Sequence, residues 1–176
     1  KPDYLKDYPR QDSAWKAIDR HVRVNAPIWS PDGKSAIVVI KSLDNKDRWI
    51  TQLDAENGKL SVIDRQRDEA WIAGPGIGGY FMSSGELEWI DAQTVYFQSE
   101  KTGYSHLYTY NISTNKTTTL TSGNYEVQQV RLSNDKSHFY ISANKEHPGE
   151  QHLYKLPVTG GNLQKLTTGV GAHEVV

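Results

Sequence analysis

The 176-residue sequence contains no cysteine, and it has no clear excess of charge of either sign. Without thiols the chain forms no disulfide, no thiolate nucleophile and no cysteine zinc site. With 20 basic and 21 acidic residues the net charge is −1, so nothing electrostatic favours nucleic acid or an anionic membrane. No apolar run approaches the ~18 residues that span a bilayer, and residues 1–7 lack the apolar core of a signal peptide. We therefore expect no nucleic-acid partner.

Catalytic and metal-binding motifs are also missing. A serine triad needs its nucleophile on a strained strand-to-helix turn, usually written G-x-S-x-G, and no such string occurs. There is no H-E-x-x-H and no calcium-binding loop. We expect no metal, no cofactor and no catalytic residue in this chain.

What the sequence does contain is one pattern written three times, at residues 48–54, 105–111 and 151–157. In each copy a second short strand is predicted 13 residues further on, so that Ile50, Leu107 and Leu153 are followed by Ile63, Leu120 and Leu166. The copies are 57 and then 46 residues apart (107 − 50 and 153 − 107). Repeats of roughly 40–50 residues built from short strands are typical of β-propeller blades.

The predicted fold class is all-β: a partial β-propeller of about three four-stranded antiparallel blades with WD-like or TolB-like repeats. The only competing helical stretch is 13–20. The predicted organisation is a lead-in or blade-closing segment (1–20), blade 1 (21–68), an inserted loop and junction (69–87), blade 2 (88–125), blade 3 (126–173) and the start of a further blade (174–176).

Three blades do not close a propeller, which usually has four to eight. We therefore expect this chain to be a segment of a larger propeller. Open blade edges present unpaired backbone groups and offer a route to self-association.

Two stretches resemble a known family. Residues 26–34, Ala-Pro-Ile-Trp-Ser-Pro-Asp-Gly-Lys, are similar to the repeat of WD-like propellers, including the TolB type. Residues 94–108, continued by 120–127, resemble the N-terminal propeller of bacterial dipeptidyl peptidase IV-like members of the prolyl oligopeptidase family. The likeness runs from about residue 21 to the end of the chain.

That resemblance implies a serine exopeptidase in which the propeller caps a C-terminal α/β-hydrolase domain, screens peptide substrates and grips their N-terminus. Such a parent releases dipeptides or tripeptides, often after proline, and is exported to the periplasm. The hydrolase domain is missing here, as is a D-W-x-Y-E-E motif that anchors the substrate amine. No functional residue of the family transfers to a numbered position.

Two other functions stay open. A TolB-like periplasmic propeller would act as a non-enzymatic scaffold that binds proteins, and the turn at 30–34 suits it equally well. A self-assembling repeat protein would require a closed oligomer. The run Ser99–Tyr108 favours the peptidase propeller.

The segment from Trp71 to Glu88 is the best candidate for a functional loop. Its string Gly74–Gly79 satisfies G-x-G-x-x-G, but no helix is predicted after it to hold a pyrophosphate. The first repeat is 11 residues longer than the next (57 − 46), and insertions in repeats map to loops that are often on the binding face. We expect the segment to face the channel or the hydrolase domain; a plain crossover between blades is the alternative.

Four residues of this segment form the candidate substrate-binding set. Glu86 and Glu88 lie two apart, so on a strand their carboxylates share a face and can hold a peptide ammonium group by charge-assisted hydrogen bonds. A solvated strand edge is the alternative. Trp71 and Tyr80 complete the set.

His106 and His152 occupy matching positions in two repeats, and Trp49 stands at the same position in the first. A position that accepts either residue type by repeat register is expected to be structural rather than catalytic.

Overall fold

A computed structural model describes residues 21–78 and 83–174. These ranges contain thirteen strands and no helix: β1 (Val22–Val24), β2 (Ile28–Trp29), β3 (Ala36–Ser42), β4 (Asp47–Asp54), β5 (Lys59–Arg67), β6 (Leu87–Trp89), β7 (Thr94–Ser99), β8 (His106–Asn111), β9 (Lys116–Thr119), β10 (Val127–Leu132), β11 (His138–Ala143), β12 (His152–Pro157) and β13 (Gln164–Lys165). No helix of the described residues is therefore long and apolar enough to cross a membrane. The lead-in predicted at 1–20, with its helical stretch, lies outside the described residues.

The strands form three antiparallel sheets that follow the order of the chain. Blade 1 contains β1 to β5, blade 2 contains β6 to β9, and blade 3 contains β10 to β13. In blades 2 and 3 every strand pairs with the next along the sequence, and in blade 1 β3, β4 and β5 do the same while β1 and β2 both pair with β3; this is the meander of a propeller blade. The predicted all-β partial propeller is confirmed.

The inner strand of blade 1 is interrupted, which the sequence did not predict. The apolar residues Val22, Val24, Ala26 and Ile28 alternate as in one continuous strand, but β1 and β2 pair separately with β3. Between them Pro27 has no N–H to donate to the ladder. The backbone N–H of Asn25 still reaches the carbonyl oxygen of Val39 at 2.9 Å, so β1 and β2 act as one strand with a break.

Neighbouring blades pack through aromatic and aliphatic side chains that alternate along each strand. On β7, Phe97 belongs to the core between blades 1 and 2 and stacks on Tyr108 at 5.7 Å between ring centroids. The adjacent Tyr96 belongs to the core between blades 2 and 3 and meets Phe139 edge-on at 5.0 Å. Because successive side chains of a strand point to opposite faces, this middle strand is buried on both sides.

The two repeat-matched histidines are held by the same hydrogen bonds. The Nδ1 atom of His106 lies 3.1 Å from Oγ1 of Thr121, which also accepts the N–H of Leu107 at 2.9 Å. In blade 3, Nδ1 of His152 lies 3.0 Å from Oγ1 of Thr167, fifteen residues further on in both cases. Both rings are buried, and this repeated arrangement is that of a structural position.

Candidate functional site

A polar cavity of about 520 Å³ opens between blade 1 and the crossover that connects β5 to β6, residues 68–86. Strands β1, β3 and β4 each place a basic side chain in its wall. The residues that matter below are Arg23, Lys41, Arg48, Trp71, Gly78 and Glu86.

The first half of the crossover is hydrogen-bonded to blade 2. The N–H of Gly74 donates to Oε2 of Glu100 at 2.8 Å, and Oγ of Ser105 donates to the carbonyl oxygen of Pro75 at 2.6 Å. Gly76 has a φ of 68°, and a Cβ atom there would lie 1.9 Å from Oε1 of Gln98. The glycines at 74 and 76 therefore let the chain pass close over blade 2 side chains. Where the description of the chain resumes, at residue 83, the backbone leads into strand β6, and no helix occurs in the described part of the segment that could hold a pyrophosphate.

Glu88 lies on β6 between the buried Leu87 and Trp89, and Glu86 immediately precedes the strand. Burial raises the pKa of Glu86 above its usual value; Arg131 opposes the rise and the charge of Glu88 adds to it. Because the charge of Glu88 raises the pKa of Glu86 by repulsion, the two carboxylates must lie near each other.

Their surroundings differ. Glu86 is partly buried in the cavity wall, with its N–H bonded to the carbonyl oxygen of Gly76 at 2.7 Å. Glu88 is exposed and accepts a hydrogen bond from the hydroxyl of Tyr96 at 3.0 Å. Burial and these two carboxylates raise the pKa of Tyr96 well above its usual value.

The structure thus brings together part of the predicted set. Trp71 lines the same cavity as Glu86 and is 54% exposed. Its backbone is fixed by Asp68, whose Oδ1 accepts the N–H of Trp71 at 3.0 Å. Glu88 is a neighbour of Glu86 outside the cavity wall, and Tyr80 lies outside the described residues.

Sequence reasoning missed the basic side chains of the cavity. Arg48 is 1% exposed and donates from Nη1 to the carbonyl oxygen of Gln98 at 2.9 Å and from Nη2 to that of Ser84 at 2.7 Å. Lys41 donates from Nζ to the carbonyl oxygens of Gly78 and Ser83, each at 3.1 Å. These contacts span 36 to 50 residues of sequence, so no local motif carries them.

Burial lowers the pKa of both basic groups, and repulsion by neighbouring cations lowers that of Lys41 further. Burial, then the charges of Arg48 and Arg23, lower the pKa of Lys41 to about 8. Burial lowers the pKa of Arg48 to about 10, although Asp64 and Glu100 oppose it. One feature of the sequence could have pointed to Arg48: it begins a repeat whose other two copies begin with the uncharged Ser105 and Gln151.

Nothing in the described ranges, 21–78 and 83–174, gathers three or more histidine or carboxylate side chains into a metal-binding group. The site is a polar cavity whose wall contains two carboxylates, Asp47 and Glu86, three basic side chains and an exposed indole. Such a cavity can bind and orient a polar molecule.

Three stacked antiparallel meanders define the class as an arc of a β-propeller. Residues 12–176 match the family model of the dipeptidyl peptidase IV N-terminal region. The chain belongs to that family.

Solved structures share the fold. One is a provisionally named dipeptidyl aminopeptidase IV from Bacteroides ovatus, with a TM-score of 0.60 and 18% identity over 84% of this chain. Another is Porphyromonas gingivalis dipeptidyl peptidase 4, with a TM-score of 0.62 and 18% identity over 89% of this chain. The matches cover 23% and 21% of those two proteins, so this chain spans less than a quarter of their length.

Proposed function

We propose that this chain is the propeller segment of an exported dipeptidyl peptidase and that it gates and positions peptides for a serine peptidase domain of α/β-hydrolase fold. The observation that carries the proposal is the family match over residues 12–176. The segment itself contributes geometry rather than chemistry. Holding a peptide in one orientation removes entropy that the reaction would otherwise lose, and a restricted opening rejects substrates of the wrong size.

The acidic wall supports a role in binding the substrate ammonium group. Glu86 is a partly buried carboxylate whose pKa is raised by burial and by Glu88, so a cation that approaches offsets an unfavourable desolvation. Trp71, in the same cavity, presents an exposed aromatic ring on which a peptide side chain can pack. Together they give the cavity a preference for a short peptide with a free N-terminus.

The test is steady-state kinetics of the intact protein, meaning this propeller segment together with the proposed peptidase domain. The substrate is a proline-containing peptide whose N-terminus is either free or acetylated. A charge-assisted hydrogen bond is worth about 1.5–3 kcal/mol. We therefore expect the double variant Glu86→Gln/Glu88→Gln to raise KM for the free peptide roughly tenfold or more, with a smaller change in kcat.

The matched control is Glu56→Gln, an exposed glutamate in the turn between β4 and β5. Its KM should stay that of the unmodified protein. Equal KM values for the free peptide in all three proteins would rule out ammonium binding by this pair, whereas absence of peptide cleavage by the intact protein would rule out the peptidase assignment itself.

A further inference from the structure

We propose that the same cavity binds a small oxyanion, a carboxylate or a phosphate, at the ammonium group of Lys41. Nothing in the proposed function requires this site, and it stands whether or not the cavity admits peptides. Three properties of the described residues support it: the charge balance of the wall, the partners of Lys41, and the burial of Arg48.

The two acidic groups of the wall have charged partners other than Lys41. The wall contains Asp47 as well as Glu86. The carboxylate of Asp47 is bound by two arginines outside the wall, at 3.3 Å from Nε of Arg65 and 2.6 Å from Nη1 of Arg67. The charges that act on Glu86 are those of Arg131 and Glu88. Neither carboxylate is therefore committed to Lys41.

Lys41 has only neutral partners among the described residues. Its two hydrogen bonds go to the carbonyl oxygens of Gly78 and Ser83, and an ammonium group has three donors. The charges that act on it are cationic, since Arg48 and Arg23 both lower its pKa. An anion bound here would gain a direct hydrogen bond and would relieve this repulsion.

Arg48 adds a fixed positive charge to the same wall. Its guanidinium is buried, both Nη atoms donate to carbonyl oxygens, and Nε is a buried donor that has no partner. Asp64 and Glu100 partly offset its charge, but the carboxylate of Asp64 is also bonded to Lys101 at 2.9 Å, and that of Glu100 accepts the N–H of Gly74 at 2.8 Å. A buried charge without an ion-pair partner is costly, and its field acts strongly in a site of low dielectric constant.

The cavity volume of about 520 Å³ is within the range of small-molecule sites and exceeds what one oxyanion fills. The anion can therefore be free phosphate with water around it or the carboxylate of a larger molecule such as a short peptide. These two sources share the chemistry that Lys41 recognises.

The experiment is a calorimetric titration of the intact protein with inorganic phosphate, with an N-acetylated dipeptide, and with the same dipeptide amidated at its C-terminus. The acetyl group removes the ammonium group on which the proposed function depends. Binding of the acetylated dipeptide therefore tests the anion site alone and does not depend on whether the cavity binds a peptide ammonium group. Tighter binding of phosphate identifies the free ion, and tighter binding of the acetylated dipeptide identifies a peptide carboxylate. The amidated dipeptide should not bind.

Two variants of Lys41 and one control decide the site. Lys41→Met should weaken anion binding at least about tenfold, the value of one charge-assisted hydrogen bond, and Lys41→Arg should retain most of it. Lys116→Met, on exposed strand β9, should bind as the unmodified protein does. Phosphate or the acetylated dipeptide should also raise the melting temperature of the unmodified protein but not of Lys41→Met.

The proposal is overturned if neither anion binds the unmodified protein, or if Lys41→Met binds as tightly as the unmodified protein while keeping its melting temperature. If Lys41→Met fails to fold, loss of binding in Lys41→Gln with retained binding in Lys41→Arg supports the site. Equal binding in those two variants refutes it.

Discussion

Replacing Thr121 by valine should destabilise the protein through two buried hydrogen bonds in blade 2. Thr121 is 3% exposed, and its Oγ1 atom accepts the N–H of Leu107 at 2.9 Å and lies 3.1 Å from Nδ1 of His106. Valine keeps the shape of the side chain but removes the oxygen. The Leu107 N–H and the imidazole nitrogen then remain buried without a partner.

Each unsatisfied buried group costs about 1–3 kcal/mol, so with two such groups we expect Thr121→Val to lower the free energy of unfolding by about 2–6 kcal/mol. The corresponding Thr167 makes the same contacts in blade 3, at 3.1 Å to the N–H of Leu153, but is only partly buried. Water can replace its oxygen, so Thr167→Val should cost less. Thr118→Val, on the exposed strand β9, should change stability by less than about 0.5 kcal/mol.

The assay is urea-induced unfolding of the three variants beside the unmodified protein, with the denaturant slope compared among them. We expect the loss of unfolding free energy to be largest for Thr121→Val, smaller for Thr167→Val and smallest for Thr118→Val. If Thr121→Val unfolds at the same urea concentration as Thr118→Val, the hydrogen bonds do not stabilise the blades and the structural role of the repeated histidine is wrong.

Two further variants test the cavity wall by stability measurements. Gly76→Ala places a Cβ atom 1.9 Å from Oε1 of Gln98 at a φ of 68°, whereas Gly33→Ala has a similar φ of 70° in open space. We expect about 1 kcal/mol of backbone strain in both variants and a larger loss of stability only in Gly76→Ala. Equal losses of stability would show that the crossover does not approach blade 2 closely. The pKa of Lys41, lowered to about 8, means that folding disfavours its charged form, so the cost is full below pH 8 and disappears as the pH rises toward 10.5. Unfolding measured from pH 7 to pH 10 should therefore show a stability gain in the unmodified protein relative to Lys41→Met, and parallel curves would contradict the pKa.

The sequence predicts the blades well because their information is repeated. The equal spacing from Ile50, Leu107 and Leu153 to the next strand places β4, β8 and β12 in register. Where one copy differs, local pattern is a poorer guide. Strand β5 runs to Arg67, four residues beyond the repeat position Ile63, and Arg67 is paired with Asp47 across the sheet.

The candidate site is only partly readable from the sequence. The alternation of strand residues predicts that Glu86 and Glu88 share a face, but it does not show that Glu86 lines the cavity and Glu88 does not. The basic wall arises from tertiary contacts, such as that of Arg48 with the Gln98 carbonyl fifty residues away. These basic side chains belong to no sequence motif, and they form a site only because the crossover packs against blade 1 in the folded chain.

The most direct test of the account is the release of dipeptides from proline-containing peptides by the intact protein, compared with its Trp71→Ala and Trp29→Ala variants. The two indoles are similarly exposed, at 54% and 49%, but only Trp71 lines the cavity. We expect dipeptide release, a KM raised several-fold by Trp71→Ala through the loss of about 1 kcal/mol or more of packing, and no change in Trp29→Ala. Absence of dipeptide release, or identical KM values in all three proteins, would contradict the claim that this propeller segment positions peptides for cleavage.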